Sequence, residues 1–249
     1  MDHFENLGST QTRDLTFQPH HSLHRAVAPH DLTMSALMAT GAHLGHAKTL
    51  LRPAFLPYAY GTRADITIID LESTLPLLRR AANVVRAVAQ NGGTVVFVGS
   101  NEALRPSVIK AAQRMGRNAY HVGSRWKPGT LTNSKVVFGE EIAQEQNTIP
   151  DLVVFLNPLD NLFAIKECAS KLVPTIGIID SNVDPRVVMY PIPANDDSVR
   201  TAELIVGMLS MAGKEGITAL ERAEEVQAKQ EREAAKQIRA SSSGRRRNQ

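Results

Sequence analysis

The sequence predicts an α/β fold in which a mostly parallel sheet of about five strands is doubly wound, with helices on both faces. Three observations carry this. From residue 64 onward, short apolar, β-branched runs alternate with amphipathic stretches of helical period. The runs are nearly continuous in apolar residues rather than alternating, as strands buried on both faces are. Gly and Pro fall between the elements, where a chain that reverses direction needs them.

The elements follow in order. "ITIIDL" (66–71) reads as the first buried parallel strand. In "STLPLLRRAANVVRAVAQN", Ser73 is placed to cap a helix, Leu75, Leu78, Ala82, Val85 and Ala89 form one stripe, and Gly92 closes it. "TVVFVG" (94–99) is the second strand. A helix is expected from near Arg105-Pro106, with Pro in its first turn, to Gly116. "NAYHV" (118–122) is a weaker third strand. "DLVVFLN" (151–157) and "TIGIID" (175–180) are the fourth and fifth, joined by the helix "NLFAIKECASKLV". A last amphipathic helix should run from Ser198 to Met211 and stop at Gly213.

The flanks differ. Residues 1–30 are polar, hold five of the eight histidines and show no periodicity, so they read as an arm. Residues 31–213 are the domain. Residues 214–249 are an extension: "ITALERAEEVQAKQEREAAKQIRA" (217–240) is a charged helix, either solvated or held by a partner, and "SSSGRRRNQ" is a basic tail. Residues 217–249 hold eight Lys or Arg against five Asp or Glu, an excess equal to the net +3 of the whole chain. The core is therefore nearly neutral, and any basic surface on it must come from local clustering.

Composition narrows the function classes. The chain has 249 residues and one cysteine, Cys168, which excludes an intrachain disulfide or a cysteine-based zinc site. Cys168 lies on an apolar helical stretch and reads as core. No apolar run approaches the roughly 20 residues that span a bilayer, so no membrane partner is expected. The N-terminus, with Asp2 and Glu5, lacks the Arg-rich, acid-poor character of a transit peptide.

"GAHLGHAKTL" (41–50) looks at first like a phosphate loop. That motif needs four residues between its glycines and Lys-Ser/Thr directly after the second. Here three separate Gly41 from Gly45, and His46-Ala47 displaces Lys48-Thr49, so a structural loop is expected. His43 and His46 form an HxxH pair, too few ligands for zinc without a third. No G-x-G-x-x-G follows a strand, and no G-x-S-x-G elbow exists. The polar strand ends (Asp70, Ser100-Asn101, Asn157, Asp180 to Asn182) are expected to cap the next helices. Neither Asp70 nor Asp180 has a basic or His partner nearby in sequence.

The remaining unusual stretch is "GSRWKPGTLTN" (123–133). The only tryptophan, Trp126, sits between Arg125 and Lys127 in a Pro- and Gly-bearing loop. Exposed, the indole would stack on a base while its neighbours meet phosphate; buried, it would seal the sheet. Composition leaves both open.

Six stretches occurring in order, "GAHLGH…RPAFLPYAYGTRADITIIDLESTLPLL", "GGTVVFVGS", "RWKPGTLTN", "IPDLVVFLNP…AIKEC", "VPTIGIIDSNVDP" and "IPANDDSVRTAELIVGML", together resemble the small-subunit ribosomal protein two family, the bacterial S-two type, and within it the fungal mitochondrial branch. The resemblance covers about residues 31–213. It implies a flavodoxin-like sheet retired from catalysis, without a cofactor or metal, and a place on the small ribosomal subunit in the mitochondrial matrix. Small-subunit rRNA and neighbouring ribosomal proteins would be the partners, and the chain would not be a free homo-oligomer. Candidate RNA-binding residues are His43, His46, Lys48, Arg52, Arg63, Arg125, Trp126, Lys127, Asn133 and the tail residues Arg245, Arg246 and Arg247; the resemblance tilts Trp126 toward packing. The chain departs from the bacterial pattern in three ways. The long helical hairpin of bacterial members shrinks to the eleven residues Phe138–Thr148. Leu51-Arg52-Pro53 replaces a Trp-Asn-Pro and adds a cation. The extension after residue 213 has no bacterial counterpart. The alternatives are an enzyme on the same sheet, such as a phosphosugar-binding isomerase, or a bacterial or plastid homologue.

Overall fold

The computed structural model describes residues 26–139 and 149–247, with the side chains of the last helix described to residue 231. The expected arm up to residue 25, with His20, His21 and His24, and most of the shortened hairpin lie outside the described residues. So do the side chains of Arg245, Arg246 and Arg247.

Two sheets organise the chain. The larger is parallel, built from β4 (Val95–Val98), β5 (Ala119–Val122), β6 (Leu152–Phe155), β7 (Thr175–Ile179) and β8 (Tyr190–Pro193), in the order β5-β4-β6-β7-β8. Numbered within the sheet this is 2-1-3-4-5, the flavodoxin-like order, with its switch point between β4 and β6. The smaller sheet is antiparallel, with β3 (Ile66–Ile69) between β1 (Leu44–Ala47) and β2 (Ala59–Arg63).

The two faces of the parallel sheet carry separate cores. Alternation along each strand sends Val95, Phe97, Leu152, Val154, Leu156, Ile176, Ile178 and Ile192 to one face. There they meet α2 (Leu71–Gln90), α3 (Arg105–Met115) and the buried part of α6 (Val199–Arg247). Val98, Val153, Phe155 and Ile179 point the other way. They meet α5 (Leu162–Ser170) and two irregular segments anchored by Phe55 and Trp126. α1 (Met34–Thr40) is capped by the Thr33 side chain and ends at Gly41, in the left-handed region at φ 82°. α4 (Ser134–Phe138) is short. Leu32 is buried and Val27 packs on the core, so the chain joins the domain slightly before the end of the expected arm.

The structure corrects four expectations. Residues 66–71 do not form a parallel strand: only Ile66–Ile69 is extended, in the antiparallel sheet, and Asp70 caps α2 in place of Ser73 by accepting from the Glu72 amide. The fifth parallel strand is instead Tyr190–Pro193. Its two prolines hide it from a propensity reading but suit an edge strand, which needs fewer donors. "LGHA" is a strand rather than a loop. Finally, the last helix does not stop at Gly213. It runs unbroken for 49 residues, because Gly213 and Gly216 are contact points and not terminators. A Cβ on Gly213 would lie 2.5 Å from Met115 Sδ, and one on Gly216 would strike the Arg86 carbonyl oxygen.

Ion pairs Arg86–Glu215 (2.7 Å) and Arg117–Glu224 (3.1 Å) hold this helix to α2 and to the loop after α3. Burial reaches Ile217, and residues 221–231 are exposed all round. No helix among the described residues is long and apolar enough to cross a membrane.

Candidate nucleic-acid interface

The Gly41-to-His46 segment, which ends in β1, is positioned by contacts that span the whole domain. Gly45 lies so close to the end of β7 that a Cβ there would meet Ser181 Oγ at 2.9 Å and Asp180 Oδ1 at 3.1 Å. The His46 backbone N–H donates to Ser181 Oγ (2.9 Å). Its ring bridges two carboxylates: Nδ1 is 3.2 Å from Asp180 Oδ2, and Nε2 is 3.2 Å from Asp197 Oδ2. Asp180 thus has a histidine partner 134 positions away, which no local reading of the sequence reveals. Burial by itself would lower the His46 pKa, but Asp180, Asp197 and Asp196 together raise it above its usual value. Asp196 is pushed up to about 7, first by burial and then by its neighbours Asp180 and Asp197. His46, Asp196 and Asp197 bring one nitrogen or oxygen atom each within 4.8 Å of one another.

His43 does not join this cluster. Its ring helps line a groove of about 660 Å³ with Met38, Leu44, Tyr60, Arg63 and Ile66. Its Nδ1 is buried and has no hydrogen-bond partner among the described residues. The two histidines of the HxxH pair therefore diverge, His46 toward the acidic cluster and His43 toward the groove.

The cationic candidates are presented on two loops that cover the same face of the sheet. In the first, Phe55 is fully buried while Arg52 and Lys48 stay exposed. Arg52 donates from its backbone N–H to the Ser181 carbonyl (2.9 Å) and from Nε to the Asn182 carbonyl (3.3 Å), so its stem is fixed at the strand end. Arg63 is exposed at the end of β2. In the second loop Trp126 is 7% exposed and packs in the same core cluster as Phe55, Val98 and Phe155, with Arg125 and Lys127 exposed on either side of it. The indole is a core group, and stacking on a base would require it to leave the core; its Nε1 has no partner among the described residues. The Glu167 carboxylate on α5 accepts from the backbone N–H groups of Gly129 (2.5 Å) and Leu131 (3.0 Å), which fixes the loop to the domain. Asn133 is exposed just ahead of α4.

At the switch point, where this topology ordinarily places a ligand, side-chain amides bond to one another. Asn157 Nδ2 donates to Ser100 Oγ (3.0 Å) and to Asp160 Oδ2 (2.8 Å). Asn161 Nδ2 donates to Ser100 Oγ (2.7 Å) and to the Asn157 carbonyl (2.9 Å). Asn101 accepts from the Ala103 amide and caps the turn that leads into α3. Cys168 lies on the buried face of α5, and burial pushes its thiol up to about 12, far from a nucleophile's range.

Comparison with known proteins gives these features a context. The sequence model of the family described as Ribosomal protein S2 matches residues 37–148 and 140–216, two segments that meet where the hairpin is shortened. The chain is 41% identical over 215 residues to the small ribosomal subunit protein uS2m of Schizosaccharomyces pombe, covering 80% of this chain and 81% of that one. It is 42% identical over 206 residues to uS2m of Neurospora crassa, covering 76% of this chain but 48% of that longer relative. A bacterial relative, uS2 of Gluconobacter oxydans, is 35% identical over 226 residues and is covered over 84% of its length.

Proposed function

The chain belongs to the Ribosomal protein S2 family, and from that premise we propose that it is a structural component of the mitochondrial small ribosomal subunit, binding rRNA and neighbouring proteins and catalysing no reaction. The observation that carries this reading is the match to uS2m of S. pombe across four-fifths of both chains, higher in identity than the match to the bacterial relative. The geometry supports it. The sheet keeps the topology of a ligand-binding fold, but its switch point is filled by its own hydrogen bonds, which disfavours an enzyme on the same sheet. Exposed cations ride on loops whose apolar residues are locked in the core, an arrangement that fixes charges where a phosphate backbone can meet them. Lys48, Arg52, Arg63, Arg125 and Lys127 are the contacts assigned to RNA, with Asn133 beside them. Trp126 acts beneath them as their anchor. His46 fixes the end of β1 that leads into Lys48. The extension from residue 214, with its basic end, is assigned to a contact particular to this subunit.

The test is sedimentation of tagged chain from a mitochondrial lysate. It should travel with small subunits and remain there after a high-salt wash. Recovery only at the top of the gradient would overturn the reading.

A further inference from the structure

A second cationic surface lies beside the Trp126 loop, on residues that no sequence motif singles out. α3 begins at Arg105, after the turn that follows β4, and its outer face carries Lys110. A groove of about 470 Å³ runs along this face, lined by Glu102, Arg105, Pro106, Ile109, Lys110 and Gln113. Arg105 reaches toward the Trp126 loop, because a Cβ on Gly123 would lie 2.8 Å from Arg105 Cγ. The aliphatic stem of Arg105 therefore passes against the backbone two residues before Arg125, and glycine at 123 leaves the room for it. Arg105, Lys110, Arg125 and Lys127 are all exposed, and among the described residues none has an ion-pair partner. Two cations that face α6 behave differently: Arg86 and Arg117 are each neutralised by a glutamate. Glu102 is the one acid lining the groove.

We propose that the α3 groove and the Trp126 loop form one continuous surface for an RNA backbone, with Arg105 joining the two parts and Lys110 extending them along the helix. This rests on the reading of the chain as an rRNA-binding subunit protein and adds to it a surface and two residues. The chemistry is that of phosphate contact without base readout, since flexible exposed cations on a helix face supply charge but no fixed donor pattern.

The experiment uses full-length chain and a transcript of the S. pombe mitochondrial small-subunit rRNA, with affinity measured from 50 to 300 mM salt. Arg105→Ala with Lys110→Ala should lower the log–log salt slope by about 1.5, at roughly 0.7 to 0.9 per lost phosphate contact. A matched pair, Arg79→Ala on α2 and Lys171→Ala after α5, should leave it unchanged. Lys110→Glu alone, at an exposed position that packing does not decide, should lower the affinity further and guards against a folding defect in the double variant. An unchanged slope in the α3 variants, while Arg125→Ala with Lys127→Ala still lowers it, would overturn this proposal and leave the functional reading standing. No change in any variant would count against that reading itself. In intact small subunits, an amine-reactive cross-link from Lys110 to a neighbouring protein would make the groove a protein contact and likewise overturn the proposal.

Discussion

His46 sits between Asp180 and Asp197 with Asp196 beside them, so one imidazole faces three carboxylates at the end of β7. The pKa of His46 is raised in the folded chain, so the folded state holds its proton more tightly than the unfolded chain does. That stabilisation is complete below the unfolded value of 6.5 and is lost as pH rises through the folded value. Asp196 acts with the same sign. Its carboxyl is held up to about 7 against 3.8, so the folded state binds more protons across that interval and stability falls as pH climbs through it. Both effects predict a chain less stable at pH 8 than at pH 5.5. Asp196→Asn should flatten this dependence and gain on the order of 1–3 kcal/mol at pH 8; urea midpoints across the range measure it, and an unaltered slope would show that the cluster is not its source. Trp126 yields the second residue-scale prediction. Removing the buried indole in Trp126→Ala should cost about 3–5 kcal/mol. Trp126→Phe should cost far less, because Nε1 has no hydrogen bond among the described residues to lose. Chemical denaturation separates the two, and a Trp126→Ala variant of unchanged stability would show that the ring is not a packing anchor. Composition could not decide this residue's fate, because two flanking cations look the same beside a buried ring and an exposed one.

The last helix shows how an element can be misread for a physical reason. Gly213 looks like a terminator, yet it and Gly216 lie where α6 presses on its neighbours, with buried Leu204, Ile205, Met208, Leu209 and Ala212 before them and Ile217 after them holding the helix down. On an exposed helix, Gly→Ala gains up to about 1 kcal/mol. Here the sign should reverse: Gly216→Ala drives a Cβ into the Arg86 carbonyl and should cost about 1–3 kcal/mol. A thermal melt decides it, and a rise in Tm would mean the helices are free to separate at this crossing. The same contrast explains which elements were legible. β4, β6 and β7 are buried on both faces, so their apolar runs stand out in the sequence, and the helices between them show clear stripes. β8 was hidden by its prolines and its place at the edge. β3 was visible as a strand, but its sheet was not, because an apolar run alone does not say which neighbour it pairs with. At the candidate interface the cations around Trp126 were legible from composition. The pairing of His46 with Asp180 was not, and neither was the approach of Arg105 to Gly123, because both join residues that only the fold brings together.

At the scale of the molecule, the strand order β5-β4-β6-β7-β8 places a crevice between β4 and β6, where flavodoxin-like folds bind phosphate-bearing ligands. Two features of this chain oppose that use. Ser100, Asn157, Asp160 and Asn161 bond to one another across the crevice, so an anionic ligand would have to displace these bonds with no cation among them to reward it. Beyond β7, Gly45 and His46 of β1 are seated on Asp180 and Ser181 and fill the neighbouring space at the strand end. The sheet thus forms a frame whose outer loops carry exposed cations. ATP, NAD or a sugar phosphate at millimolar concentration should accordingly leave the melting temperature unchanged. A ligand at a hundred times its Kd adds about 2.7 kcal/mol to the stability of the state it binds. For a domain of this size each kcal/mol moves Tm by about 2–4 °C. A shift of several degrees with any of the three would mean that the crevice still binds, and an Asn157→Ala variant that abolished the shift would place the ligand there.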